Sequence, residues 1–414
     1  MNYGKIFQEH INSIKSENRY RDFTQIHREC RQFPNATVTV DGKLKDIVIW
    51  SSNDSLCMGE NKDVVSSMQN ILIQEGGGSS GSRNLSGTTP HHFALEQQMA
   101  DLHSKQSGLL FTSAYVANVA TLSTISKIIP EIIFFSDENN HASIIDGIVS
   151  SKSNKVIFKH NDPADLEFHL KKLPVSQPKL IVFESIYSMD GDISPIKEIC
   201  NLAEKYNAMT YVDEIHAVGM YGEQGSGMSS LLKQSERIDI IQGGFSKGYG
   251  LIGGYIAGEK YLVDCIRSSA PAFIFTTSLP SMLVGGLLSS VKHLRYSDVE
   301  RKKLKSNVLY IKEEFEKRGI PFLKNETHII PIIIGDGNLA KKISRELLKS
   351  KGLYLQAVNY PSVPKGTERF RLMVTAKHTK KEINDMISAL LEVLGKYSIL
   401  LSNNPMPENL IASL

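Results

Sequence analysis

Short apolar runs rich in β-branched residues recur along this chain, separated by longer stretches in which apolar residues return every three or four positions. The runs have the length and composition of strands buried on both faces of a parallel sheet. The three-to-four spacing is that of helices with one apolar face. Strands are therefore expected at residues 47–51, from Gly108, and at 132–136, 179–183, 209–212 and 238–241, with two more at 329–334 and 353–357. Helices are expected at 5–16, where Ile6, Ile11 and Ile14 share a face, and at 93–102, 196–206, 338–351 and 379–396; residues 281–318 alternate helical and charged faces. Alternating strands and helices predict an α/β fold with a mostly parallel central sheet flanked by helices. The expected division is an N-terminal helix and strand segment (1–50), a large domain (51–295), a smaller C-terminal α/β domain (296–399) and a tail (400–414).

Composition narrows the function classes. Apolar content of 41% and charged content of 22% over 414 residues describe a globular chain able to bury a sizeable core. With 47 basic and 44 acidic residues the net charge is +3, too small to argue for nucleic acid. No apolar run reaches the ~20 residues of a membrane-spanning helix, and the N-terminus lacks a signal-peptide or transit-peptide pattern, so a cytoplasmic protein is expected. Cys30, Cys57, Cys200 and Cys265 are scattered, so neither a disulfide framework nor a metal site is expected.

The chemistry concentrates between residues 209 and 254. The run 209–212 ends in Asp213-Glu214-Ile215-His216, and the run 238–241 leads into a glycine-rich turn that presents Ser246-Lys247-Gly248. Ligands of open α/β sheets bind beyond the carboxyl ends of strands, so an acid, an imidazole and an amine are delivered to one region. Pyridoxal 5'-phosphate (PLP) needs a lysine amine for its Schiff base and a carboxylate to keep its pyridine nitrogen protonated. Lys247 and Asp213 suit those roles. Ser113, Ala114 and Tyr115 open a helix after the strand at Gly108, and the free N–H groups of a helix start attract phosphate.

The segments DEIHAVGMYG and SKGYG resemble the α-oxoamine synthases, PLP enzymes that join an amino acid to an acyl-CoA; the similarity runs from about Arg19 to His378. It implies a fold-type I PLP-dependent transferase acting as a homodimer with sites at the interface. Within the family the chain is most similar to the members that condense glycine with succinyl-CoA to 5-aminolevulinate. The resemblance implies that His141 lies on the pyridine face, that His216 meets the phenolic oxygen, and that Ser185 and Ser246 sit near the cofactor. Thr276 and Thr277 match the segment lent to the neighbouring subunit's phosphate site. Arg21, Asn84 and Ser362 match positions at the succinyl end, Ser82 lies in the glycine-rich segment that borders the acyl-CoA and amino-acid site, and Asn53 and Arg371 match positions that bind the amino-acid carboxylate.

Several positions depart from the family pattern. Ser55 replaces a tyrosine, Ser82 and Ser362 replace threonines, and Gly244 stands where a threonine usually touches the phosphate. These changes leave open another acyl thioester or a bulkier amino acid with the same machinery. An aminotransferase, or a PLP-type fold that has lost catalysis, are the remaining alternatives.

Overall fold

The structure is a computed structural model and describes residues 1–400 apart from Asn18 and Asp22; the expected tail from 401 onward lies outside the described residues. The chain forms two compact units. One combines Met1–Ser52, Met189–Gly191 and the described part of Lys302–Leu414; the other combines Asn53–Ser188 and Asp192–Arg301.

The first unit opens with helix α1 (Tyr3–Ser16), whose N-terminus is capped by the Asn2 side chain accepting from the Lys5 amide at 3.1 Å. None of its residues is buried, so among the described residues the face carrying Ile6 and Ile11 has no core beneath it. Strands β1 (Ile26–His27), β2 (Asn35–Val40) and β3 (Lys43–Ile49) form an antiparallel meander. The strand expected at 47–51 thus starts four residues earlier, because β2 supplies a partner for its polar first half.

The second unit holds helices α2 (Lys62–Glu75) and α3 (Pro90–Leu102), strand β4 (Ser107–Phe111), helix α4 (Ala114–Ile128), strand β5 (Ile133–Asp137) and helix α5 (Ala142–Ser151). Strands β6 (Lys155–Phe158), β7 (Lys179–Glu184), β8 (Met209–Asp213), β9 (Ile240–Gly244) and β10 (Gly254–Gly258) follow. Together they make a seven-stranded sheet in the order β4-β10-β9-β8-β7-β5-β6. Five neighbours, β9 to β6, run parallel, and β10 lies antiparallel to both β9 and β4. Every residue of β7 is buried, as a strand covered on both faces requires. Even Lys179 is buried there, its ammonium donating to the carbonyls of Pro174, Gln177 and Tyr206.

Back in the first unit, β11 (Ile329–Ile333), β12 (Leu353–Tyr354), β13 (Ala357–Val358) and β14 (Arg369–Met373) complete the strands. The single strand expected at 353–357 is two: β12 joins β3 in parallel, and β13 crosses to the sheet β11-β14-β13. Arg371 lies within β14, a strand not expected from the sequence. The region 281–318 resolves into two helices, Ser281–Tyr296 and Val299–Arg318.

Candidate active site

Lys247 sits in the turn joining β9 to β10. The turn is closed by Phe245 N to Gly253 O at 3.0 Å, Leu251 N to Phe245 O at 2.9 Å and Gly250 N to Lys247 O at 3.2 Å. A Cβ on Gly248 would stand 2.4 Å from the Val218 carbonyl, and one on Gly250 (φ +73°) 2.3 Å from the Gly59 amide. The glycines flanking the lysine therefore let it pack against two other backbones. Asp54 holds one of them: its carboxylate oxygens accept from the Met58 and Gly59 amides at 3.0 and 2.9 Å, while burial pushes its pKa up to about 6. Lys247 itself is half-buried and Ser246 is exposed.

At the end of β8, Asp213 is buried and accepts from Asn118 Nδ2 at 2.8 Å and from the Ile215 amide at 2.9 Å. Burial raises its pKa; the two hydrogen bonds and the nearby His141 and Lys247 pull the other way. Asn118 lies on the buried face of α4 and also donates to Ser143 Oγ at 2.9 Å, while its carbonyl accepts from the Tyr211 hydroxyl at 2.6 Å. Ser143 is in turn 2.8 Å from His141 Nδ1, which accepts from the Ser143 amide at 3.2 Å. The Tyr115 ring stands edge-on to His141, centroids 6.3 Å apart, with its hydroxyl on Asp146. Beside them, Glu184 is buried, accepts from the His141 amide at 2.6 Å, and has its pKa pushed well above the carboxylate range by burial and by Asp213.

Ser185 donates to the buried Glu214 at 2.7 Å; Glu214 also accepts from the Met228 and Ser229 amides. Its hydroxyl is therefore engaged in holding the segment after β8. His216 is buried on that same segment. Ser113 caps α4 by accepting from Val116 N at 3.1 Å, which leaves Ala114 and Tyr115 as the first amides of the helix, beyond reach of intrahelical acceptors. Gly244 faces this helix start. A Cβ there would lie 2.7 Å from Cγ1 and Cδ1 of Ile215 and 3.0 Å from the Ala114 Cβ, so the place of the family's threonine is filled by Ile215.

The Gly/Ser-rich stretch 76–88 is stitched into the fold. Ser278 donates its amide to Gly81 O at 3.0 Å and its hydroxyl to Gly87 O at 2.6 Å; Ser79 donates to Ser278 O at 2.6 Å, and Ser82 bridges to Thr277. Asn84, Leu85, Phe275 and Thr277 are exposed on this patch, and Thr276 beside them is half-buried. Arg83 beneath it forms a two-pronged ion pair with Glu96 at 2.8 and 3.0 Å.

In the first unit, Arg21 donates to Ser362 Oγ at 3.4 Å, and both line a cavity of about 570 Å³ with Arg19, Lys341, Arg345 and Arg371. No Asp or Glu among the described residues lines it. Burial pushes the Arg371 guanidinium down to about 10, the expected effect of desolvation on a cation. Arg369, two residues earlier, is instead committed to Asp190 and to the carbonyls of Thr367 and Met189. Asn53, in the second unit, is exposed.

Residues 45–390 match the family of class I and II aminotransferases. A 5-aminolevulinate synthase from Rickettsia typhi is 50% identical over 97% of this chain and 96% of its own length; one from Rhizobium meliloti is 47% identical over 94% and 96%. The chain belongs to the 5-aminolevulinate synthase family. A variant of serine palmitoyltransferase from S. paucimobilis, solved with PLP and myriocin, superposes with a TM-score of 0.88 at 27% identity, covering 97% of this chain and all of that one.

Against the family pattern, the structure brings Asp213, His141 and the α4 N-terminus into one connected neighbourhood. It gathers Arg21, Ser362 and Arg371 around one cavity, and the half-buried Ser82 with the exposed Asn84 and Thr277 on one patch. Sequence reasoning missed Asn118, Glu184 and Asp54. The available signals were a lone amide on an otherwise apolar helix, a glutamate ending a fully buried strand, and an aspartate before a glycine turn.

Proposed function

We propose that the chain condenses glycine with succinyl-CoA to give 5-aminolevulinate, releasing CoA and carbon dioxide, with PLP held in the second unit. The reading rests on family membership and, in the structure, on one observation: the buried Asp213 carboxylate at the end of β8, which accepts from the neutral donors Asn118 Nδ2 and Ile215 N and has Lys247 and His141 nearby. A buried carboxylate so placed would hold a protonated ring nitrogen. The free amides of Ala114 and Tyr115 fit the phosphate and the half-buried Lys247 amine fits the aldehyde. When bound, PLP supplies an electron sink for the pair left on the glycine α-carbon.

The chain's residues do the rest. The neutral Lys247 amine takes the α-proton of glycine, as a lysine shielded from water can. Arg371 takes the amino-acid carboxylate, and Arg21 with Ser362 takes the distal carboxylate of the succinyl group, where a guanidinium meets both oxygens at once. His141 would pack on the cofactor ring and His216 would hydrogen-bond it, with Tyr115 flanking. A carbon–carbon bond forms between the glycine α-carbon and the thioester carbonyl as the C–S bond breaks. The glycine-derived carboxylate then departs as carbon dioxide, and a proton replaces it. Two copies act together: the patch of Ser82, Asn84 and Thr277, bearing Leu85 and Phe275 at 81% and 82% exposure, offers the apolar surface of an interface and is proposed to serve the neighbour's site. Its location is proposed as the cytoplasm, in keeping with its bacterial relatives.

The test is a panel of succinyl-, acetyl-, malonyl- and longer acyl-CoAs with glycine and PLP, following free thiol and product mass. Succinyl-dependent thiol release with 5-aminolevulinate formed, abolished in Lys247→Ala, is the expected result. Preference for another thioester would overturn the substrate assignment, and full activity in Lys247→Ala would overturn the mechanism.

A further inference from the structure

Resting on the PLP site just described, we propose that Asn118 is a positioning residue that fixes two cofactor contacts at once, the Asp213 carboxylate and the His141 ring. The argument is one of hydrogen-bond directions. The Tyr211 hydroxyl donates to Asn118 Oδ1 at 2.6 Å, which fixes the orientation of the amide. Both hydrogens of Nδ2 are then committed, one to Asp213 Oδ2 at 2.8 Å and one to Ser143 Oγ at 2.9 Å. Having accepted that hydrogen, Ser143 has its own hydroxyl proton to give, and His141 Nδ1 lies 2.8 Å away. The Ser143 amide donates to the same nitrogen. Nδ1 must accept, so the imidazole proton resides on Nε2. A single amide thus orients the anchor of the ring nitrogen and, through one hydroxyl, selects the tautomer of the ring-facing imidazole.

Asn118, Asp213, Ser143 and Tyr211 are buried, His141 at the end of the relay is exposed, and each Asn118 polar atom is used. An isosteric apolar side chain removes both arms; an aspartate turns lone pairs toward the Asp213 carboxylate.

The test uses the full chain loaded with PLP. Asn118→Leu is expected to weaken PLP binding at least tenfold and to shift both the visible absorbance of the bound cofactor and its pH midpoint. Asn118→Asp is expected to be worse. Ser143→Ala releases only the His141 arm, so it should lower kcat while leaving PLP affinity within about threefold of wild type, a split that a purely structural role does not produce. Tyr211→Phe, which frees the amide to turn, should fall between them. If Asn118→Leu fails to fold, the Ser143→Ala and Tyr211→Phe results decide. Wild-type affinity, spectrum and pH midpoint in Asn118→Leu, or, where that variant does not fold, in Tyr211→Phe together with wild-type kcat in Ser143→Ala, would overturn the inference. A wild-type chain that binds no PLP would instead sink the functional reading, and this inference with it.

Discussion

His160 is held between two carboxylates, with Nδ1 2.8 Å from Asp137 and Nε2 2.7 Å from Asp192, and the Tyr187 ring edge-on at 4.4 Å. Asp137 ends β5 and also accepts the amides of Asn139 and Asn161, so this clamp holds the turn that delivers His141. Burial alone favours the neutral imidazole, but the two acids outweigh it and raise the pKa from 6.5 to about 10. At 1.36 kcal/mol per pH unit the full difference is about 5 kcal/mol. Asp192 is one-third exposed, and screening by water reduces this to about 2 kcal/mol. Because the folded pKa lies above the unfolded one, that stability is fully present below pH 6.5 and is lost as pH rises through about 10. The perturbation is His160→Gln, which keeps hydrogen-bonding capacity and removes the charge. Urea unfolding of wild type and variant across this range should give a gap of about 2 kcal/mol at the acid end that closes toward the alkaline end. A gap of constant size at both ends would refute the reasoning, since it would assign the loss to packing.

Gly244→Thr should restore the family's hydroxyl yet drive its Cβ into Ile215, costing about 1–3 kcal/mol and loosening PLP. Adding Ile215→Ala should relieve the collision, and PLP titrations of the single and double variants check it. Arg371→Lys should raise the KM for glycine by roughly 30-fold, the equivalent of about 2 kcal/mol for a lost charge-assisted bond, with a smaller change in kcat. Steady-state kinetics at varied glycine measure this. Glu96→Ala leaves Arg83 enclosed without its carboxylate and should destabilise the fold by about 3–5 kcal/mol, read as a lowered midpoint of unfolding.

What could be read from the sequence tracks how local each signal is. β7 and β8 were legible because strands covered on both faces are written as unbroken apolar runs. β10 was not, since its Gly254-Tyr255-Ile256-Ala257-Gly258 carries glycine at both ends and owes its place to β4 and β9 on either side. β9 was read two residues early, because Gly243 and Gly244 look like turn and are strand: Tyr255 packs so closely that a Cβ on Gly243 would lie 2.3 Å from its ring. The periodicity of α1 identified a helix and its apolar face, but periodicity does not say what covers a face, and among the described residues none buries it. Asp213 and Lys247 stood out because strand ends expose what they carry. Asn118 and Glu184 did not, because their meaning lies in partners 95 and 43 residues away.

The lysine turn has both of its ends in neighbouring strands, with Gly244 paired to Gly254 and Ile240 to Gly258. Most turns at the carboxyl end of such a sheet feed a helix, which can rotate or slide to absorb a change in length. A hairpin of this kind cannot. Slipping β10 by one residue would turn Tyr255 and Ala257 toward the opposite layer. Any insertion or deletion between Gly244 and Gly254 must therefore be taken up within the nine residues that carry Lys247, so a change of length here acts directly on where the amine stands.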